Sequence, residues 1–167
     1  MTKARSKTSA GYSGTPLVQK LGIKEGSRVF VASAPVEYRT LVAPIPRGVK
    51  FQARVNGSTD LAHIFVTREG DLRKHLTKLR ATLSSEAVVW VSWPKKTSGV
   101  STTVTEDTIR DIALPMGFVD VKVCAVNEVW SGLKLVVRKA LRQGSGSIAG
   151  EPLKSRSPRA ATGTAPS

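Results

Sequence analysis

The sequence predicts an α/β fold: a three-layer, Rossmann-like sandwich on a mostly parallel six-stranded sheet with an antiparallel final strand. Three observations carry this expectation. Apolar strand-like runs alternate with helical patterns from residue 16 to residue 139, the order that builds a parallel sheet with helices on its faces. The runs are apolar almost throughout, as in strands buried on both sides. The last two runs are separated only by residues 127–132, too few for a crossover helix, so they should pair antiparallel.

The elements follow in order. Residues 16–21 read as a short helix, with Thr15 as cap, Pro16 at the first position and Gly22 as terminator. Residues 28–33 form an apolar strand. Residues 36–41 look helical and are stopped by Pro44 and Pro46. Residues 49–55 and 61–67 are the second and third strands. In 71–83, Leu72, Leu76, Leu79 and Leu83 recur at i, i+4, i+7 and i+11, one apolar stripe of a helix. Residues 87–92 are the fourth strand. Thr105 caps a helix through Leu114, closed by Pro115 and Gly117. Residues 118–126 and 133–138 are the fifth and sixth strands. Chain order suggests the first strand at the centre, the second and third on one side and the later ones on the other.

The chain is long enough to bury a core without disulfides or metals. Residues 1–12 are expected as a disordered basic leader, 13–140 as a single α/β domain and 141–167 as a disordered tail. That tail is rich in Gly, Ser, Pro and Ala, with only Leu141, Ile148 and Leu153 as large apolar residues. The net charge is +14, of which residues 1–15 carry +3 and residues 140–167 another +3, leaving +8 for residues 16–139. Such an excess favours anionic partners at long range. One cysteine, Cys124, permits no internal disulfide and fits a cytoplasmic protein. No apolar run reaches the ~18 residues of a membrane span.

The closing segment, 88–139, is the most informative: it holds all three tryptophans. Its strand–helix–strand–reversed-strand ending is similar in topology to class I methyltransferases. Their cofactor motif is a glycine-rich loop after the first strand and an acid ending the second. Here those places read Ser33-Ala34-Pro35-Val36-Glu37 and Val55-Asn56-Gly57-Ser58. Neither matches, and no dinucleotide or triphosphate glycine motif is present. No cofactor is therefore expected.

A closer resemblance rests on longer stretches. These are Gly-Tyr-Ser-Gly-Thr-Pro-Leu at 11–17, Leu-Gly-Ile-Lys at 21–24 and Trp-Val-Ser-Trp-Pro-Lys-Lys at 90–96. Val-Lys-Val-Cys-Ala-Val follows at 121–126, then Glu128 and Trp-Ser-Gly-Leu-Lys at 130–134. Together they resemble an uncharacterised bacterial family known only as a domain of unknown function. The resemblance spans residues 11–139. It implies a bacterial cytoplasmic protein with this small α/β domain, and no activity.

Ligands of open α/β sheets collect beyond the carboxyl ends of the strands. The first strand leads there into Ser33, and the fourth into Trp93, Lys95 and Lys96. If those strands are neighbours, Ser33, Trp93 and Lys95 face one crevice, the lysines holding an anion and Trp93 stacking on a ring. The bland reading is a surface turn with a tryptophan over a strand end. A second candidate is the hairpin with Glu128, Trp130 and Ser131, where Trp130 otherwise packs on the sheet and Glu128 pairs with a lysine. Tyr12, between glycines 11 and 14, is a third, otherwise a leader residue packed on the domain.

Catalytic and metal residues are not expected. His63 lies in a buried strand pattern, His75 on the leucine helix, and Cys124 reads as a small core side chain. The reading is a non-catalytic binding or regulatory domain recognising an anionic small molecule or acidic protein partner. Non-specific nucleic-acid binding through the basic surface and tails is the alternative, and a divergent methyltransferase-like enzyme the second.

Overall fold

The computed structural model describes residues 14–142. The described residues fall into two units, residues 14–137 and 138–142. Six strands form one sheet in the first unit: β1 (Arg28–Ala32), β2 (Lys50–Gln52), β3 (Leu61–Phe65), β4 (Val88–Pro94), β5 (Phe118–Ala125) and β6 (Trp130–Val137). Their order across the sheet is β2-β1-β3-β4-β6-β5. β1 is parallel to β2 and β3, β3 is parallel to β4, and β6 is antiparallel to both β4 and β5. The reversed final strand is thus inserted between β4 and β5.

The strand order corrects the expected one. β2 and β3 do not lie together; β1 separates them. The reason is burial. β3 reads Leu-Ala-His-Ile-Phe and is buried at every position, whereas β2 is Lys-Phe-Gln and nowhere fully buried. Two apolar faces require an interior place, and a half-polar three-residue strand suits an edge. Residues 53–60 bring the chain back across β1. The return is tied by Thr59 Oγ1 donating to Gln52 Oε1 (2.6 Å) and by the Arg28 N–H donating to Asp60 Oδ2 (2.8 Å).

Helices cover both faces. α1 (Leu17–Leu21) and α2 (Tyr38–Leu41) lie on one, where Leu17, Val18, Leu21 and Tyr38 pack with Leu61, Phe65 and Trp90. α3 (Glu69–Thr82) and α4 (Glu106–Ala113) lie on the other, where Leu72, Leu76, Leu79, Ile109 and Ile112 pack with Ala62, Ile64, Val89 and Val91. The leucine stripe works as its period requires, each leucine contributing about 1.5–3 kcal/mol by burial. α1 differs from expectation at its start: Pro16 is the cap residue and no side chain caps the helix, so Thr15 does not. Gly22 ends it in the left-handed conformation that glycine adopts without strain.

Thr105 caps α4 as expected. Its hydroxyl accepts from the Thr108 N–H, and Thr108 Oγ1 accepts from the Thr105 N–H, both at 3.2 Å. Replacing Thr105 with Ala removes one acceptor and half of this box. A loss of about 1 kcal/mol is expected, read as a lower urea midpoint at unchanged slope.

β5 is the other edge of the sheet. Its register slips between Asp120 and Lys122, and Val121 and Val123 are half exposed. A bulge beside a lysine is a common guard against edge-to-edge pairing. Of the second unit the described part is 138–142, with a single 3-10 turn at Lys139–Leu141. No helix among the described residues is long and apolar enough to cross a membrane.

Candidate functional site

The carboxyl ends of β1 and β3 open onto a crevice of about 300 Å³, lined by Ser33, Phe65, Thr67, Asp71, His75 and Trp130. Its parts come from four elements. Ser33 follows β1 directly and has φ 60, a left-handed backbone that a non-glycine residue adopts only at some cost. Phe65 ends β3 and Thr67 follows it. Asp71 and His75 are four residues apart on the first turns of α3, so they share one face of the helix. Trp130 opens β6 and meets Phe65 edge to face, with centroids 5.1 Å apart. Because β6 is reversed, its first residue lies at the same edge as the last residues of the parallel strands.

Burial holds the His75 imidazole below its usual pKa. Asp71 opposes that shift, while Lys78 and Lys74 add to it. The ring can therefore act as hydrogen-bond donor and acceptor at neutral pH. Ser33 and Asp71 are exposed and Thr67 is half-buried. The crevice thus offers hydroxyls, a carboxylate and an imidazole beside an indole ring.

Beneath it lies a buried polar chain. His63 is fully buried. Its Nδ1 is 2.8 Å from the Tyr38 hydroxyl and its Nε2 is 2.7 Å from Ser92 Oγ. A neutral imidazole has one donor and one acceptor, and the two hydroxyls can supply the complements. Burial lowers the His63 pKa to about 3 and raises the Tyr38 phenol above its usual range. His63 also stacks on Phe65, with centroids 4.4 Å apart, so this chain supports the floor of the crevice.

The expected crevice joining Ser33, Trp93 and Lys95 is not formed. β3 separates β1 from β4, and pleat parity turns Trp93 to the α3/α4 face while Trp90 and Ser92 face α1 and α2. Trp93 and Lys96 line a separate hollow of about 540 Å³ with Glu106, Asp107 and Arg110. That hollow has no cationic surplus. Arg110 bonds Asp120 at 2.9 Å, Asp107 at 3.4 Å and also Glu106, and it holds the Asp120 carboxyl below the usual range. Lys95 is half-buried and its N–H donates to the Val129 carbonyl at 2.7 Å. Glu128 is exposed in the β5–β6 turn. Ser131 lies between Trp93 and Ala125 in register, one pleat step from Trp130. Tyr12 and the terminal segments lie outside the described residues.

Residues 56–139, half of the chain, match the family model described as protein of unknown function, DUF3052. The chain belongs to this family. Its match begins after the motifs at 11–17 and 21–24, and no curated protein matches the chain. Among solved structures, a SAM dependent methyltransferase from Aquifex aeolicus superposes with TM-score 0.55 at 13% identity, covering 72% of this chain and 87% of that one. A putative type 11 methyltransferase from Sulfolobus solfataricus gives 0.49 at 12% identity over 73% and 90%. Fibrillarin from Aeropyrum pernix, solved with natively bound S-adenosyl-L-methionine, also gives 0.49 at 12% identity, over 75% and 70%. The likeness to the Aquifex aeolicus structure shows the Rossmann-like fold of this member of the family and nothing of its chemistry.

Sequence reasoning placed Ser33 and Trp130 as candidates but did not join them, and it passed over Thr67, Asp71 and the Tyr38–His63–Ser92 chain. The Asp-x-x-x-His spacing on a confident helix was the available signal for Asp71 and His75. Nothing local marks Tyr38 and Ser92 as partners of His63, because they are 25 and 29 residues away. Cys124 is half-buried rather than a core side chain. Among the described residues no three His, Cys, Asp or Glu side chains gather where a metal ion would fit.

Proposed function

We propose that this domain binds a small ligand at the carboxyl-end crevice without transforming it. The ligand class is one with a planar ring and hydroxyl or amino groups, the chemistry of a nucleoside. The observation that carries the reading is the meeting of Trp130 with Ser33, Thr67, Asp71 and His75 at that edge. An indole face suits a flat ring, and a carboxylate near hydroxyls suits a ligand rich in donors. Asp71 argues against the anionic ligand that composition favours, at least in this crevice.

Binding is preferred to catalysis because Ser33 and Asp71 are exposed to water. A serine hydroxyl there, with no base bonded to it among the described residues, is a weak nucleophile. Methyl transfer is the second reading, favoured by the fold of the Aquifex aeolicus enzyme. The loop after β1 does not help it, since Ser33, Ala34 and Pro35 stand where glycines would let a cofactor approach the backbone.

The test is a titration of the full chain with adenosine, S-adenosylmethionine and other nucleosides, read by tryptophan fluorescence and by calorimetry. Saturable binding is expected, with the fluorescence change lost in Trp130→Phe and affinity reduced about tenfold or more in Asp71→Asn. No heat and no fluorescence change across the panel would overturn the reading. Transfer of a labelled methyl group from S-adenosylmethionine to any acceptor would replace it with the second.

A further inference from the structure

A different part of the molecule holds a second concavity. On the α1 side of the sheet, a groove of about 420 Å³ is lined by Thr15, Gln19, Lys20, Lys122, Cys124 and Ala125. Lys122 on β5 and Lys134 on β6 are direct partners in the antiparallel register. Side chains of such partners emerge on the same face, with Cβ atoms roughly 4.5–5.5 Å apart, and like charges there destabilise the pair. That face is the α1 side, because Lys134 is also in register with Trp90 on β4.

Two further lysines converge from α1 and the turn after it. Burial lowers the pKa of the Lys134 ammonium, and the nearby charges of Lys122 and Lys24 add to that shift. Burial raises the Cys124 thiol, and the charges of Lys20 and Lys122 oppose it. The carboxylate on the same strand, Asp120, is committed to Arg110 on the opposite face. Lys20 and Lys122 line the groove with a hydroxyl and a carboxamide, and Lys134 faces Lys122 from the neighbouring strand. In the free protein this arrangement costs stability, and a multiply charged anion seated there reverses the sign of that cost.

We infer that the groove between α1 and the β5–β6 hairpin is an anion site for a phosphate-bearing small molecule. The groove is walled on one side by α1 and, at about 420 Å³, has room for a molecule bearing a diphosphate. Lysine ammoniums meet phosphate as point charges from several directions, without the planar fork that a carboxylate partner prefers. The site is separate from the Ser33–Trp130 crevice, and its fate is independent of that one.

The experiment is thermal unfolding of the full chain with inorganic pyrophosphate, with phosphate, and with sodium chloride at matched ionic strength. Pyrophosphate is expected to raise Tm by about 5 °C or more at saturating concentration, and matched salt by much less. Lys122→Met and Lys134→Met are each expected to raise Tm without ligand, by relieving the facing charges, and to abolish the pyrophosphate shift. Lys50→Met, on the far edge strand, should change neither. Equal shifts with pyrophosphate and matched salt would overturn the proposal. So would a pyrophosphate shift retained in both groove variants. A labelled single-stranded RNA forms the last arm. If Lys122→Met removes RNA binding while pyrophosphate gives no shift in the parent chain, the groove reads a nucleic-acid backbone and the small-molecule form fails. If pyrophosphate shifts Tm and RNA binding is unchanged by Lys122→Met, the small-molecule form stands.

Discussion

Replacing Trp90 with Ala is expected to lower stability by about 3–5 kcal/mol, among the largest effects of any single substitution in this chain. Trp90 is the largest fully buried side chain. Three contacts make it so. Its indole N–H donates to the Leu21 carbonyl at 2.9 Å, which ties the end of α1 to the centre of the sheet. Its ring lies against Gly132 on β6, where an added Cβ would come within 3.2 Å of Trp90 Cε3 and of Val126 Cγ2. It belongs to the same buried cluster as Leu17, Val18, Leu21 and Ile23 on the α1 side. Truncation therefore opens a cavity between sheet and helix and leaves a buried carbonyl without its donor. Trp90→Phe separates the two effects. It keeps most of the apolar contact and should cost nearer 1–2 kcal/mol, mostly the hydrogen bond and the lost ring volume. Urea midpoints at constant slope give both numbers. A Trp90→Ala protein within about 1 kcal/mol of the parent would mean that α1 is not held by this residue.

Trp90 also shows what the sequence could and could not reveal. The run 87–92 was legible as a buried strand because every residue but Ser92 is apolar. Periodicity on α3 and the Thr105 cap were equally plain, and each formed as local rules require. Position across the sheet was less plain. Reading strands in chain order put β2 and β3 together, although the information to separate them was present: Leu-Ala-His-Ile-Phe has two apolar faces, and Lys-Phe-Gln has one. The error then propagated to the site. Ser33 and Trp93 were joined on the assumption that β1 and β4 touch, and pleat parity alone places Trp93 on the opposite face from Trp90. Trp130 reaches the crevice because β6 is reversed, a feature the short 127–132 connection did imply. What could not be read is how α3 docks, and therefore that Asp71 and His75 turn toward Ser33.

The last expectation concerns acid. His63 is buried without charge between Tyr38 and Ser92, and burial lowers its pKa from 6.5 to about 3. In the unfolded chain the same ring protonates near pH 6.5. Between those two values the unfolded state binds one proton more than the folded state, so stability falls as pH falls. The contribution is complete above pH 6.5 and is lost progressively down to about pH 3. The slope is about 1.4 kcal/mol per pH unit, and the total is on the order of 4–5 kcal/mol as an upper bound. Carboxylates such as Asp120, held by Arg110, lose stability in the same direction at lower pH, so the parent protein alone does not isolate the histidine. The comparison with His63→Gln does. That variant offers a donor and an acceptor from a neutral amide, and at pH 7.5 it should be less stable by about 1–3 kcal/mol because a planar ring stacked on Phe65 is gone. As pH drops from 6 to 4.5, urea unfolding should show the parent losing about 1.4 kcal/mol per unit more than the variant, so the two curves converge. Parallel curves over that range would mean that His63 takes up its proton in the folded state, and that the Tyr38–His63–Ser92 chain opens to water when it does.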